Sequence, residues 1–160
     1  MTSAFNRLRQ HFEDFAVGDT VVSPGRTVDV SDITTFAGLT GDHYPLHVNE
    51  EYGKGTRFGG RIAHGPLTFG LAVGQIGLSG FLGEAITAFL ECQEMRALAP
   101  VYPGDTIRVR AEVSAVEPGT NPKYGTLRLD YTVLNQKDDE VMRFRMVLLA
   151  RRRTQGEGER

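Results

Sequence analysis

The chain has 160 residues, about the length of one domain, and its 40% of hydrophobic residues excludes wholesale disorder. A net charge of -2 argues against a nucleic-acid partner. The single cysteine, Cys92, excludes an intrachain disulfide framework and a cysteine-rich zinc site, and it fits a cytoplasmic protein in a reducing compartment.

The two ends of the chain carry no hydrophobic pattern. We expect residues 1–10 and 152–160 to be tails and residues 11–151 to form a single domain. Residues 62–83 contain no Asp, Glu, Lys or Arg, and a segment of that length can span a bilayer. Six of these residues are Gly and polar side chains are interspersed, so we predict no membrane span but a helix buried on most sides of a soluble fold.

The first half of the chain predicts two helices separated by loops. The first helix has Ser31 as its N-cap and Asp32 in its first turn, and it ends at Gly41. A loop follows, and a short turn or helix lies around residues 50–52. The second helix begins near Pro66, because proline suits a first helical position.

The second half changes to a period of two, which is typical of strands. Apolar and polar residues alternate in four runs, 88–94, 107–115, 127–133 and 142–148. Turn residues separate the runs. The apolar face of the sheet and the nearly uncharged helix both need to be buried. Both are buried if the sheet curls around the helix. The sequence therefore predicts an α+β fold in which long antiparallel strands wrap a central helix.

Asp42 and His47 stand five residues apart in a loop that contains a proline. Such a loop can aim both side chains at one point, where a carboxylate and an imidazole around one water form a general acid–base pair. An aspartate that caps a turn and a histidine on the surface would give the same spacing. The spacing alone leaves both interpretations open.

Gly65 and Pro66 lead into the uncharged helix. Free backbone N–H groups at a helix start lie at the positive end of the helix dipole, where they can bind a carbonyl oxygen that becomes anionic. Glycine also permits close approach of a substrate. The alternative is an ordinary helix start that follows a loop glycine.

Two motifs together resemble a known family. The stretch Gly41-Asp42-x-x-Pro45-Leu46-His47 is followed by Ile62-Ala63-His64-Gly65 before an apolar helix. From about residue 12 to residue 152, the chain resembles the MaoC-like dehydratases, or (R)-specific enoyl-CoA hydratases. The resemblance implies a hot-dog fold, in which a long antiparallel sheet wraps a central helix. It also implies a homodimer with the active site near the subunit interface.

The resemblance implies a reaction as well. Asp42 and His47 match the catalytic pair of the family, and Gly65 matches the residue whose backbone N–H binds the thioester carbonyl. The implied activity is reversible hydration of an enoyl-CoA to a 3-hydroxyacyl-CoA. No metal and no redox cofactor are expected, because the thioester already polarises the double bond.

The chain departs from the family at Tyr44, where the family has Asn before the proline. A phenol there either narrows the pocket or hydrogen-bonds a polar acyl group, unless it packs against the next subunit. We count five candidate substrate-binding residues, namely Tyr44, His64, Pro66, Arg57 and Arg61. The arginines would bind the phosphates of CoA and His64 would orient the loop, whereas a solvated basic loop and a structural histidine are the alternatives.

Two other functions are compatible with the same fold. One is an acyl-CoA thioesterase, although hot-dog thioesterases generally place a carboxylate near the helix instead of an Asp-His loop. The other is a non-catalytic subunit that binds acyl-CoA or a partner enzyme, and Tyr44 keeps this interpretation open.

Overall fold

The computed structural model describes residues 9–154. Short elements come first, namely the 3-10 turn Phe12–Asp14, strands β1 (Thr20–Val22) and β2 (Arg26–Thr27), and helices α1 (Val30–Thr40), α2 (Pro45–Val48) and α3 (Glu50–Lys54). Helix α4 (Gly65–Leu78) and strands β3 (Ile86–Ala97), β4 (Thr106–Glu117), β5 (Tyr124–Leu134) and β6 (Glu140–Arg151) follow. The predicted α+β class and the order of one long helix before four long strands are confirmed.

Every strand pairing in the sheet is antiparallel. The strands lie in the order β1-β4-β5-β6-β3, and β2 also pairs with β4. Because β3 pairs with β6, the connection from β3 to β4 must cross the end of the sheet. This crossover brings Val101 beside Ala63, whose N–H donates to the Val101 carbonyl at 2.8 Å. The connection therefore lies next to the start of α4.

Helix α4 packs on the inner face of the sheet. Its buried Leu67, Ala72 and Ile76 join side chains of the long strands in one hydrophobic core. Phe69 meets Phe144 of β6 edge to face, with the ring centroids 4.8 Å apart. The sheet thus wraps a central helix, as the alternation predicted.

The predicted alternation sorts the side chains of β4 and β5 by face. Ile107, Val109, Leu127 and Leu129 are fully buried. Burying one such side chain contributes about 1.5–3 kcal/mol relative to leaving it exposed. On β4 the alternation ends before Ala115, because a bulge interrupts the pairing with β5 there and leaves Ala115 half-buried.

The start of α1 differs from the prediction. The N-cap is Asp29 and not Ser31, because the Asp29 carboxylate accepts a hydrogen bond from the Val30 N–H at 2.6 Å. The Asp32 carboxylate accepts in turn from the Asp29 N–H at 2.9 Å, which completes a capping box. The predicted end is confirmed, since Gly41 has a φ of 77°, in the left-handed region that favours glycine.

Two residues that were predicted to lie in the tails contact the domain. The Arg9 guanidinium forms an ion pair with Asp19 at 2.9 Å, and the Arg152 N–H donates to a backbone carbonyl of the β4–β5 connection at 2.8 Å. Both residues therefore belong to the folded unit. Residues 1–8 and 155–160 lie outside the described residues.

Helix α4 is covered on most sides, as predicted, and is exposed along one stripe and at its end. Pro66, Gly70 and Gly74 are exposed on one stripe, and Leu78 at the end of the helix is 92% exposed.

The strand β3 forms one edge of the sheet and carries Phe89, which is 54% exposed. Within residues 9–154, none of the helices combines the length and the apolar composition that crossing a bilayer requires.

Candidate active site

Asp42 follows the left-handed turn that ends α1. Its carboxylate accepts from the Tyr44 N–H at 3.2 Å, and its own N–H donates to the Thr40 hydroxyl at 3.2 Å. Its backbone carbonyl accepts from Nε2 of His64 at 3.0 Å. The side chain remains 48% exposed. The turn therefore holds the backbone while the carboxylate stays accessible to a ligand.

His47 lies in the short helix α2, which the sequence did not predict. Its Nδ1 is 2.8 Å from the backbone carbonyl of Ile62. Because a carbonyl only accepts, Nδ1 carries the proton, and Nε2 of the neutral ring keeps a lone pair. The Ile62 N–H donates to the Leu46 carbonyl at 3.3 Å, which ties α2 to the segment that leads into α4. The fold thus presets the nitrogen that can act as a base.

His64 completes the cluster from below the surface. It is fully buried, and its ring stacks on the His47 ring with centroids 3.9 Å apart and planes 28° apart. One oxygen of Asp42 and one ring nitrogen of each histidine lie within 4.8 Å of one another. The structure therefore brings the predicted pair Asp42 and His47 together and adds His64 as its buried support.

Gly65 is the first residue of α4. Within the described part of the chain, its N–H has no hydrogen-bond acceptor, as expected for the first turn of a helix. A Cβ at this position would meet no atom within 4 Å, so the space on the Cβ side of Gly65 is open. A donor at the positive end of a 14-residue helix is therefore available to an oxygen that gains negative charge.

A cavity of about 230 Å³ opens between the start of α4 and the β3–β4 connection. His47, Gly65, Thr68 and Arg57 line it, and the remaining lining residues are apolar or small: Phe58, Ile62, Ala63, Ala97, Leu98, Ala99, Pro100, Val101, Val141 and Met142. An imidazole and an unpaired backbone N–H therefore stand beside a mainly apolar space. Such a space suits an acyl group.

The two predicted arginines have different surroundings. Arg57 lines the cavity, and its guanidinium carbon is 4.8 Å from the centroid of the Phe58 ring. It forms no ion pair with any residue in the range 9–154. Nε of Arg61, in contrast, donates to the Glu50 carboxylate at 2.8 Å, and this hydrogen bond lowers the pKa of Glu50. Arg61 is therefore already neutralised.

Tyr44 and Pro66 do not line the cavity. The Tyr44 side chain is 55% exposed, and its hydroxyl lies 3.2 Å from that of Tyr52. This hydrogen bond raises the pKa of Tyr52. The Tyr44 ring centroid is 6.3 Å from that of His47, so the phenol borders the site from outside. Pro66 is exposed at the second position of α4.

Asp42, His47 and His64 are also the described residues that come close enough to share a metal ion. Two of the four ring nitrogens, however, already donate to backbone carbonyls. The two rings stack with their planes 28° apart. The two nitrogens that donate to backbone carbonyls carry a proton and cannot bind a metal at the same time.

Sequence reasoning missed most of the cavity wall. Phe58 and the segment 97–101 were not singled out, and Met142 was predicted only as a core residue of its strand. The available signal was an apolar run that continues past the end of a strand and contains Pro100. That signal does not reveal which part of the molecule the run approaches.

Comparison with known proteins adds independent observations. A family model described as MaoC like domain matches residues 14–135. The (R)-specific enoyl-CoA hydratase of Rhodospirillum rubrum is 37% identical over 134 residues, which make up 82% of this chain and 87% of the relative. Protein MaoC of Klebsiella aerogenes is 35% identical over 102 residues, or 64% of this chain, and the match spans 30% of that relative's length.

Two solved structures agree with the fold. The monoamine oxidase regulatory protein of Archaeoglobus fulgius has a TM-score of 0.86 and 33% identity, with 92% of this chain and 99% of that chain covered. A Mycobacterium tuberculosis protein described as a double hotdog fold has a TM-score of 0.74 over 89% of this chain and 44% of its own. At 23% identity, the second likeness shows the fold alone. The predicted hot-dog fold is confirmed.

Proposed function

The chain belongs to the family of MaoC-like domains, and we propose that it catalyses the reversible hydration of an enoyl-CoA to a 3-hydroxyacyl-CoA. One observation carries the proposal: His47 and Gly65 line one mainly apolar cavity, and the Asp42 carboxylate, which does not itself line that cavity, lies within 4.8 Å of a ring nitrogen of His47. The relative from Rhodospirillum rubrum, which is named for this reaction, supports the same chemistry.

In the hydration direction, Asp42 and His47 hold one water between them. A carboxylate oxygen of Asp42 and a ring nitrogen of His47 are at most 4.8 Å apart, and two hydrogen bonds of about 2.8 Å to one water span roughly 4.6 Å. One of the pair removes a proton as the water oxygen bonds to C3 of the enoyl group. The electrons of the double bond move toward the thioester. Asp42 or His47 then returns a proton to C2.

Gly65 stabilises the intermediate charge. As C3 gains its new bond, the thioester oxygen becomes enolate-like, and the Gly65 N–H donates to it at the positive end of α4. A proton transfer of this kind requires neither a metal nor a redox cofactor, because the thioester itself accepts the electron pair.

The cavity holds the acyl group, and Arg57 binds an anionic group of the CoA moiety. This division follows from the lining, because the walls are apolar and Arg57 lacks an acidic partner among the described residues. An unpaired guanidinium gains charge-assisted hydrogen bonds when it meets a phosphate.

We propose a homodimer formed along β3. This edge strand of 12 residues leaves one row of backbone groups unpaired, and Phe89, Leu90 and Met95 on it are about half exposed. Pairing with a second copy would cover these side chains. Because Ala97 at the end of β3 lines the cavity, the interface would lie close to the site.

The proposed function is tested by following the conjugated-enoyl absorbance after the protein is added to crotonyl-CoA. The wild type is expected to consume the signal. Asp42→Asn and His47→Ala should each lower kcat by about 100-fold or more, because general acid–base catalysis contributes at least that factor. His43→Ala changes an exposed neighbouring histidine and is the matched control, expected to stay within about twofold of wild type.

Two other outcomes would contradict the proposal. Release of free thiol from acyl-CoA would indicate a thioesterase, because hydration leaves the thioester intact. Tight binding of enoyl-CoA without any conversion would indicate a non-catalytic acyl-CoA-binding subunit. Full activity in both Asp42→Asn and His47→Ala would refute the assigned mechanism.

A further inference from the structure

His64 is a buried polar residue that the proposed reaction does not use directly. Its exposed fraction is 0%, and it is not among the residues that line the cavity. Its Nδ1 is buried and has no hydrogen-bond partner in the range 9–154. A buried polar atom without a partner lowers stability, so an apolar side chain would be the more stabilising choice for packing alone.

The remaining atoms of His64 contact both members of the catalytic pair. Its Nε2 donates to the backbone carbonyl of Asp42 at 3.0 Å, which identifies Nε2 as the protonated nitrogen of the neutral ring. One face of the ring stacks on His47 at 3.9 Å. The Phe36 ring packs against it as well, with centroids 4.9 Å apart. The imidazole is therefore held between a core residue of α1 and the proposed base.

We propose that His64 is the positioning residue of this site: its hydrogen bond holds the Asp42 backbone, while its ring packs against His47. The inference rests on the proposed function for its kinetic consequence. It makes the sequence-based expectation that His64 orients the loop more specific, because His64 acts through Asp42 and does not touch the substrate. Its place as the last residue before α4 explains the geometry, because the same segment presents the Gly65 N–H to the cavity.

A positioning role affects kcat more than KM. His64 has no exposed atoms with which to bind substrate, so removing it leaves ground-state binding nearly unchanged. A small displacement of the proton-transfer groups lowers the rate of the chemical step, and a misplacement of 1 Å costs about 100-fold. The loss therefore falls on kcat.

Two variants separate the hydrogen bond from the ring. His64→Phe keeps a flat ring on His47 and loses the donor, whereas His64→Gln keeps an amide N–H at a similar reach and loses the ring. We expect His64→Phe to lower kcat on crotonyl-CoA by about 10- to 100-fold, with KM within about twofold of wild type. His64→Gln should recover most of kcat, because it retains the hydrogen bond to Asp42. A purely structural role would make both variants unstable or both fully active.

Hydrogen exchange provides a readout that does not depend on activity. The His47 N–H donates to the Tyr44 carbonyl at 2.9 Å, within the loop that the hydrogen bond to Asp42 holds. His64→Phe should speed the exchange of this amide, while His64→Gln and the amides of β5 exchange as in wild type. Wild-type inactivity on every enoyl-CoA would refute the proposed function, yet this measurement would still decide the role of His64. Equal exchange at His47 in all three proteins, or equal loss of kcat in both variants, would overturn the inference.

Discussion

At the scale of single residues, the backbone decides what each functional side chain can do. His47 can accept a proton only at Nε2, because the Ile62 carbonyl holds the proton on Nδ1. Arg57 and Arg61 lie four positions apart in one loop, yet Glu50 neutralises only Arg61. The same residue type therefore has two roles, and the difference lies in its neighbours.

The arginine pair gives a prediction with an internal control. Arg57→Gln should raise KM for an enoyl-CoA by about tenfold, because a charge-assisted hydrogen bond contributes about 1.5–3 kcal/mol. Arg61→Gln should leave KM within about twofold. The same KM measured on an enoyl-pantetheine, which lacks the CoA phosphates, should not change in Arg57→Gln. Equal effects of the two variants on both thioesters would contradict the assignment of Arg57.

At the scale of elements, the outer face of the sheet carries cross-strand ion pairs that the inner face excludes. Asp130 of β5 and Arg145 of β6 are directly paired in register. Arg145 donates to both oxygens of Asp130, at 2.6 and 3.1 Å. These hydrogen bonds lower the pKa of the Asp130 carboxyl below its ordinary value of 3.8. The pair thus links the two central strands on the side that faces away from α4.

This ion pair predicts a particular pH dependence of stability. Because the folded-state pKa of Asp130 is lowered, the ion pair stabilises the fold fully above about pH 4. This stabilisation is lost as the pH falls through the folded-state pKa. Asp130→Asn should lower the free energy of unfolding at pH 7 by no more than about 1 kcal/mol, because both side chains are partly exposed. Urea titrations at pH 7 and pH 2.5 should show this difference shrinking at low pH. A difference that is the same at both pH values would contradict the electrostatic explanation.

At the scale of the whole molecule, the two edges of the sheet differ. One edge ends in β1, which has three residues, and the other ends in β3, which has 12. A short edge offers little template for pairing, whereas a long edge with exposed apolar side chains favours association. Leu78 at the end of α4 is also 92% exposed, so a helix as well as a strand presents apolar surface to solvent.

The edge asymmetry predicts which substitution dissociates the dimer. The wild type should have twice the chain mass of 17.6 kDa by light scattering. Phe89→Lys on β3 should shift it to the mass of one chain, because a buried unpaired charge is costly at an interface. Val22→Lys on β1 is the matched control, since Val22 is 55% exposed and Phe89 is 54% exposed. A wild type of single-chain mass, or dissociation by Val22→Lys alone, would refute the proposed interface.

Part of the fold was predictable because its signals are local. The alternation that places Leu127 and Leu129 inside is a period of two within one strand, and Gly41 ends α1 because of its own backbone conformation. The N-cap was misplaced because Ser31 and Asp29 both suit that position, and only the hydrogen bond from Val30 selects Asp29. Strands β1 and β2 were missed because two or three residues carry no detectable period.

The sequence by itself determined the family, the fold class and the identity of the residues proposed to act on the substrate, Asp42, His47 and Gly65. It did so because motif spacing and periodicity are properties of neighbouring residues. Only the tertiary structure decided which nitrogen of His47 is free, which arginine is unpaired, and which side chains wall the cavity. Each of these depends on atoms from distant segments, such as the Ile62 carbonyl beside α2, and their meeting is set by how the sheet closes around α4.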